Sequence, residues 1–234
     1  MKKLITIPTF NESVTIQNTI MSINSSINDF DYVVIDNCSI DQTLQILKDN
    51  HYNYIDLPIY LGIGGVVQNG YRYEYINGYD IAVQVYVDGQ HNIIYLHDLL
   101  DCMNESDADM VVGSRVIRND GFQSSFMRRV GITYFTKIIR SLTGVTITDP
   151  TSGFRMINEK VISLFASDYT RDYPESESAV NLLKFGYKVK EVPVKMKELQ
   201  GGKSFIKMKD SIYCMIKVTL GIFVEYIRKH GDRV

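Results

Sequence analysis

The sequence predicts an α/β fold in which a mostly parallel sheet carries helices on both faces. Three observations predict it. Short β-branched apolar runs recur at residues 3–7, 32–35, 81–87 and 110–112. Stretches with helical spacing alternate with these runs. Polar clusters follow the runs at residues 8–12, 36–41, 88–91 and 113–115, where loops leaving the carboxyl ends of such a sheet bind ligands.

Residues 3–7 read as a buried strand that Pro8 ends. Ile16, Ile20, Ile23 and Ile27 then mark one apolar face of a helix. Residues 32–35 form a second strand, and Asp36-Asn37-Cys38-Ser39 is turn chemistry. Ile40, Leu44 and Leu47 make another helical stripe, and Tyr54-Ile55 a short third strand. Gly62-Ile63-Gly64-Gly65 opens a helix that runs to Tyr75. Residues 81–87 and 110–113 are further strands. The pattern is less regular beyond. Residues 126–142 read as a helix, 149–155 as a loop, 176–185 as a helix behind Pro174-Glu175, and 187–194 as a strand. Residues 205–229 read as a long helix with Met208, Ile212, Met215, Thr219, Phe223 and Ile227 on one side. Lys217 and Glu225 interrupt it, so it is not expected to span a bilayer. It suits a membrane surface, its own core, or a homo-oligomer interface.

A chain of 234 residues, 45% of them apolar, suits one domain with a real core. A formal net charge of −2 argues against a nucleic-acid partner. Cys38, Cys102 and Cys214 are odd in number and lack metal-site spacing, which fits a reducing compartment. The first apolar stretch is too short for a secretion signal, so a cytoplasmic place is expected.

Motifs IPTFNE (7–12), IDNCSIDQT (35–43), LGIGGVVQNG (61–70), VDGQH (87–91), VVGSR (111–115), DPTSGFR (149–155), YPESE (173–177), EVPV (191–194) and GGKS (201–204) appear in that order. Together they resemble family 2 glycosyltransferases, and within them the polyprenyl-phosphate hexose transferases and dolichol-phosphate mannose synthase-like proteins. The resemblance implies a GT-A (Rossmann-like nucleotide-diphospho-sugar transferase) fold over residues 1–234. Residues 1–115 would bind the nucleotide sugar, 116–204 would face the acceptor, and 205–234 would form the C-terminal amphipathic helix. It also implies a divalent cation (Mg2+ or Mn2+), inversion at the anomeric carbon, and a lipid-linked or glycan acceptor in cell-envelope polysaccharide synthesis at the inner membrane face.

By that resemblance Pro8, Thr9 and Glu12 pack on the base and ribose. Glu12 also suits a helix start. Asp36 and Asn37 address the base, though an Asx-turn explains Asp36 as well. Gly64 belongs to a loop beside the nucleotide, or to a tight turn. Tyr86 and Asp88 occupy the metal motif, with Gln90 as a second hard oxygen donor. Arg115, Arg128 and Ser152 line the acceptor or its phosphate, arginine being a bidentate phosphate fork, and Arg155 is either structural or phosphate-facing. Lys203 addresses the diphosphate. Glu175 is the candidate catalytic base for a hydroxyl acceptor. A lipid phosphate is already anionic and needs no base, and Glu175 would then orient the sugar or the acceptor. A carboxylate there also favours a helix N-terminus.

The chain departs from the family pattern at three positions. Asn37 stands for a second aspartate, Tyr86 for the first aspartate of the metal motif, and Leu199 for an arginine. These departures support a second reading, a catalytically silent binding or regulatory subunit.

Overall fold

The computed structural model describes residues 1–87, 92–118, 126–171, 173–195 and 208–228. Strands β1 (Lys3–Thr9), β2 (Asp31–Asp36), β3 (Tyr54–Asp56) and β4 (Ile81–Gln84) pair in parallel in the order β3-β2-β1-β4. The inner strands are apolar at nearly every position because helices cover both faces of the sheet. Alternation along each strand divides the core in two. Ile5, Ile7, Val34 and Val83 meet α1 (Ile16–Ser26) and α2 (Thr43–Asp49) on one face. Leu4, Val33, Ile35 and Ala82 meet α3 (Gly62–Ile76) on the other.

The expected helices and strands are present with shifted ends, and three elements are added. The first strand runs through Pro8 to Thr9, the strand expected at 187–194 spans Val189–Pro193, and Ile40 lies exposed before α2 rather than on its buried stripe. Helix α4 (Leu96–Ser106) packs Leu96, Leu99, Leu100 and Met103 on the α1 face. Strand β5 (Met110–Ser114) and helix α5 (Phe126–Thr143) follow as expected. Strand β6 (Arg155–Asn158) and helix α6 (Glu159–Ser167) lie where the sequence signal was weak. β6 has only four residues and begins with a charged one. The Asn158 side chain caps α6 by accepting the Val161 N–H at 3.2 Å. β4 stops at Gln84 rather than Val87.

β6 inserts antiparallel between β4 and β5, and β7 (Val189–Pro193) adds parallel to β5. The sheet has seven strands in the order β3-β2-β1-β4-β6-β5-β7. β4 and β5 therefore keep the direction of β1 and β2. The carboxyl ends of all four emerge at one edge, and β6 starts there with Arg155 opposite Gln84 and Val112.

Helix α7 (Pro174–Lys184) starts with proline in its first turn, where the missing N–H costs nothing. It packs between the sheet, α5 and the final helix α8 (Met208–Ile227). The expected apolar stripe of α8 is split, with Met215 partly buried against the core shared with α5 and α7. Val218, Ile222 and Glu225 face inward, while Phe223 and Ile227 are exposed. Glu225 accepts from Asn181 at 3.0 Å and from Arg228 at 3.2 Å, and Arg228 also reaches Asp168 at 2.6 Å. This network and the apolar contacts of Val218 and Ile222 fix the inward side of α8.

Candidate active site

The loops after β1 and β2 lock each other through short polar side chains. The Asn11 N–H donates to Ser39 Oγ at 2.9 Å, and the Ile40 N–H donates to Asn11 Oδ1 at 2.9 Å. The Glu12 N–H donates to Thr43 Oγ1 at 2.8 Å, and the Ser13 N–H to Asp41 at 3.1 Å. Asn11 adopts φ 56°, which its short amide tolerates. Asp36 is fully buried and accepts from the Ser39 N–H at 3.0 Å and the Ser39 hydroxyl at 2.6 Å. That is the Asx-turn reading, with both carboxylate oxygens engaged. Pro8 is buried, and the Thr9 hydroxyl turns back to the Ile7 carbonyl at 3.2 Å. Glu12 accepts from the Thr15 hydroxyl at 2.7 Å, and its carbonyl accepts from the Ile16 N–H at the start of α1.

Asn37 ties this lock to the glycine-rich loop. Its Oδ1 accepts the Leu61 N–H at 2.9 Å, and its amide faces the Gly62 carbonyl at 3.4 Å. An aspartate could make the first bond and not the second. Gly64 has a packing reason. Its N–H donates to the Arg171 carbonyl at 3.1 Å, and a Cβ there would overlap the backbone of Thr170 and Arg171. The exposed surface at this end includes an aromatic pair beside polar Asn11 and Asp41. Phe10 and Tyr60 meet with ring centroids 4.8 Å apart, both open to solvent.

On the other side of the edge, Arg115 turns inward rather than toward an acceptor, and Arg155 takes the structural one of its two expected roles. Arg115 forks the buried Asp149 at 2.6 and 2.8 Å and reaches Thr151 at 3.0 Å. Burial pushes the Asp149 carboxyl up, but the Arg115 hydrogen bonds and charge outweigh it and hold the group below the usual range. Glu191 supports the same loop from β7, accepting from Thr148 at 2.7 Å and from the Asp149 N–H at 2.9 Å. Arg155 is buried, with donors on the carbonyls of Ser152 at 2.7 Å and Pro150 at 3.0 Å and on Ser178 Oγ at 2.9 Å. The Ser152 hydroxyl donates to the Gly113 carbonyl at 2.7 Å. These bonds stitch the 149–155 segment to β5 and α7, because a buried donor left unpaired is costly.

The stitching brings two sequence-predicted residues together. Tyr86, just past β4, donates its phenol to Glu175 Oε1 at 2.6 Å. Glu175 sits in the first turn of α7, where the helix dipole favours a carboxylate. Gly153 makes room, since a Cβ there would overlap the Tyr86 ring. Burial first, and then the Glu175 charge, push the Tyr86 phenol well above its ordinary range. A neutral phenol that already donates to a carboxylate does not fit a metal ligand. Asp88, Gln90 and Lys203 lie outside the described residues, as does the side chain of Arg128. Among the described residues no three acidic, His or Cys groups cluster as metal ligands.

Two features of this region escaped the sequence reading. One is the Tyr86–Glu175 contact, between residues far apart in the chain. The other is Glu74 on α3, fully buried beneath β1. Its Oε1 accepts from the Thr6 hydroxyl, and its Oε2 has no partner among the described residues. Burial raises its carboxyl to about 8. Its position among apolar helix residues was the available signal.

The family model for glycosyl transferase family 2 matches residues 4–165. An undecaprenyl-phosphate mannosyltransferase of Micrococcus luteus is 26% identical over 213 residues, 87% of each chain. A polyprenol monophosphomannose synthase of Mycolicibacterium smegmatis is 26% identical over 231 residues, covering 93% of this chain and 85% of the relative. Among solved structures, glucosyl-3-phosphoglycerate synthase from Mycobacterium tuberculosis bound to phosphoglyceric acid superposes with a TM-score of 0.75 at 14% identity, covering 98% of this chain and 81% of that one. The same synthase with Mn2+, UDP-glucose and phosphoglyceric acid gives 0.72 at 14% identity, again covering 98% and 81%. The likeness in fold, with β6 reversed inside an otherwise parallel sheet, and the family match over most of the chain lead to one conclusion: this chain belongs to glycosyltransferase family 2 and is a sugar-transferring enzyme on the GT-A fold.

Proposed function

We propose that this enzyme moves a sugar from a nucleotide-diphosphate sugar to a polyprenyl phosphate, inverting the anomeric carbon, in cell-envelope glycan synthesis. The observation that carries the reading is the Tyr86–Glu175 contact at the carboxyl edge of the sheet, 2.6 Å long. It places a held carboxylate where loops from both sides of the sheet converge. The names of the two relatives, both polyprenyl-linked mannose transferases, support the acceptor class.

The nucleobase lies over the exposed Phe10–Tyr60 pair, since aromatic faces accept any base by stacking. The Asp36 turn and the Asn37 bridge hold the two loops that present this pair. Lys203 meets the diphosphate. Glu175 orients the acceptor phosphate, which is already anionic and attacks the anomeric carbon without losing a proton first. With a glycan hydroxyl as acceptor, the same carboxylate would take the proton.

Complexes of the mycobacterial synthase contain Mn2+ or Mg2+ with UDP. A divalent cation of that kind would stabilise charge on the leaving diphosphate. Tyr86 does not serve as its ligand here. Asp88 and Gln90 are the motif's remaining oxygen donors, and no step above runs through the ion.

The test is thermal stabilisation by UDP, GDP, CDP and dTDP, each with and without manganese. A ligand that binds only the folded state raises the melting temperature by mass action. One nucleotide should shift the transition selectively. No shift with any of the four would overturn the donor reading.

A further inference from the structure

We propose that the outward face of α5 and α8 seats on an anionic lipid bilayer. The first observation is the apolar outward side of α8. Among its described side chains the one carboxylate, Glu225, is buried on the protein side, held by Asn181 and Arg228, while Asp210 lies outside the described side chains. Its solvent side carries Tyr213, Ile216 (57% exposed), Leu220 (60%), Phe223, Val224 (61%) and Ile227 (76%). At 100° per residue these six fall within one stripe about a quarter-turn to a third of a turn wide. Contiguous exposed apolar surface of this kind marks an interaction site. No described helix is long and apolar enough to cross a membrane. A helix of this type lies in the plane of an interface instead.

The second observation is charge. α5 lies beside α8, joined by the Thr219 hydroxyl on the Tyr134 phenol at 3.3 Å and by the shared core of Phe135, Ile139, Val218 and Ile222. The exposed side of α5 presents Arg129, Lys137 and Arg140, and its sequence contains no acid. Arg129 and Lys137 rim a shallow groove floored by Val130, Thr133 and Tyr134. Among the described side chains of the two helices, the one carboxylate is the buried Glu225. Cations beside an apolar stripe complement anionic headgroups beside acyl chains. Self-association through the same face would set these cations against their own copies, which disfavours a second chain as the occupant.

This surface is one helix away from the candidate site. α7, which carries Glu175 in its first turn, packs Val180 into the core shared by α5 and α8. The seating would bring a membrane-borne acceptor to that side of the enzyme. The inference itself does not depend on the transfer reaction.

The experiment is sedimentation of the full chain with vesicles of phosphatidylcholine alone and with vesicles that also contain phosphatidylglycerol, at low and high salt. The chain should bind only the anionic vesicles and be released by salt. Leu220→Glu should weaken binding about tenfold or more, by loss of an apolar contact. Lys137→Ala should weaken it about fivefold and reduce the salt dependence. Both positions are exposed, so melting temperatures should match the parent, and Lys137→Ala carries the test if Leu220→Glu does not fold. Absence of binding, equal binding to neutral vesicles, or binding indifferent to either substitution would overturn the proposal. So would a lipid-free dimer that Leu220→Glu converts to monomer. Nucleotide-dependent thermal shifts, read without vesicles, report separately on the donor reading.

Discussion

The two sides of the sheet are built by different means. On the β3-β2-β1-β4 side, order is local. Short polar residues in adjacent loops bind each other's backbone, as Asn11, Asp36, Asn37 and Asp41 do. On the β6-β5-β7 side, order is long-range and charged. Arg115, Asp149, Glu191 and Arg155 are drawn inward to fix a segment between distant strands. The first side presents an aromatic surface, the second a single carboxylate, and Tyr86 joins them at Glu175. Residues that a family pattern marks as ligand contacts can thus be the framework that shapes the contact.

The largest effect should separate the two sides. Asp149→Ala leaves the Arg115 guanidinium without its partner and should cost about 3–5 kcal/mol in urea unfolding. No single change in the loop lock on the other side should match it.

Glu74 tests the β1 side from below. Its folded carboxyl titrates at about 8, raised from 4.5. Between those values the unfolded chain releases a proton that the folded chain keeps. Stability should therefore fall as pH rises through this window and level off above it. Glu74→Gln should add roughly 3 kcal/mol at pH 7, add little at pH 4, and flatten the profile of unfolding free energy against pH.

Gly153→Ala should strike the joint. The new Cβ pushes against the Tyr86 ring, costing about 1–3 kcal/mol and displacing the phenol from Glu175. A loss of transfer activity larger than the loss of folded protein would place the damage at the joint. Smallest of all, Asn37→Asp keeps the bond from Leu61 but sets a carboxylate against the Gly62 carbonyl. The expected cost is about 1–2 kcal/mol, with a weaker nucleotide-induced thermal shift. An unchanged shift would mean that the bridge does not shape the base-binding surface.

Much of the first side was legible in the sequence. The isoleucine stripe of α1, the apolar runs of β1 and β2 and the turn at Asp36 follow from spacing and composition alone. The second side was not. β6 is four residues beginning with Arg155, and nothing local says that this arginine is buried as a strap. α4 carried a readable stripe in Leu96, Leu99, Leu100 and Met103 that the reading passed over. The stripe of α8 was legible in its spacing, but its inward side is fixed by Val218 and Ile222 together with the contacts of Glu225 and Arg228 with α7 and Asp168. Glu175 was legible as a motif residue, and its bond to Tyr86 was not, because the two meet only when the sheet closes.

The account rests on that bond, and Tyr86→Phe tests it most directly, removing one hydroxyl and keeping the ring. Sugar transfer to polyprenyl phosphate would be measured with the donor whose nucleotide stabilises the chain, for the parent and the variant across pH. The parent should transfer, and the variant should lose roughly ten- to a hundredfold in kcat with nucleotide affinity intact, as expected for a misplaced acceptor carboxylate. Equal rates in parent and variant at every pH, or no transfer by the parent from any donor, would contradict the account.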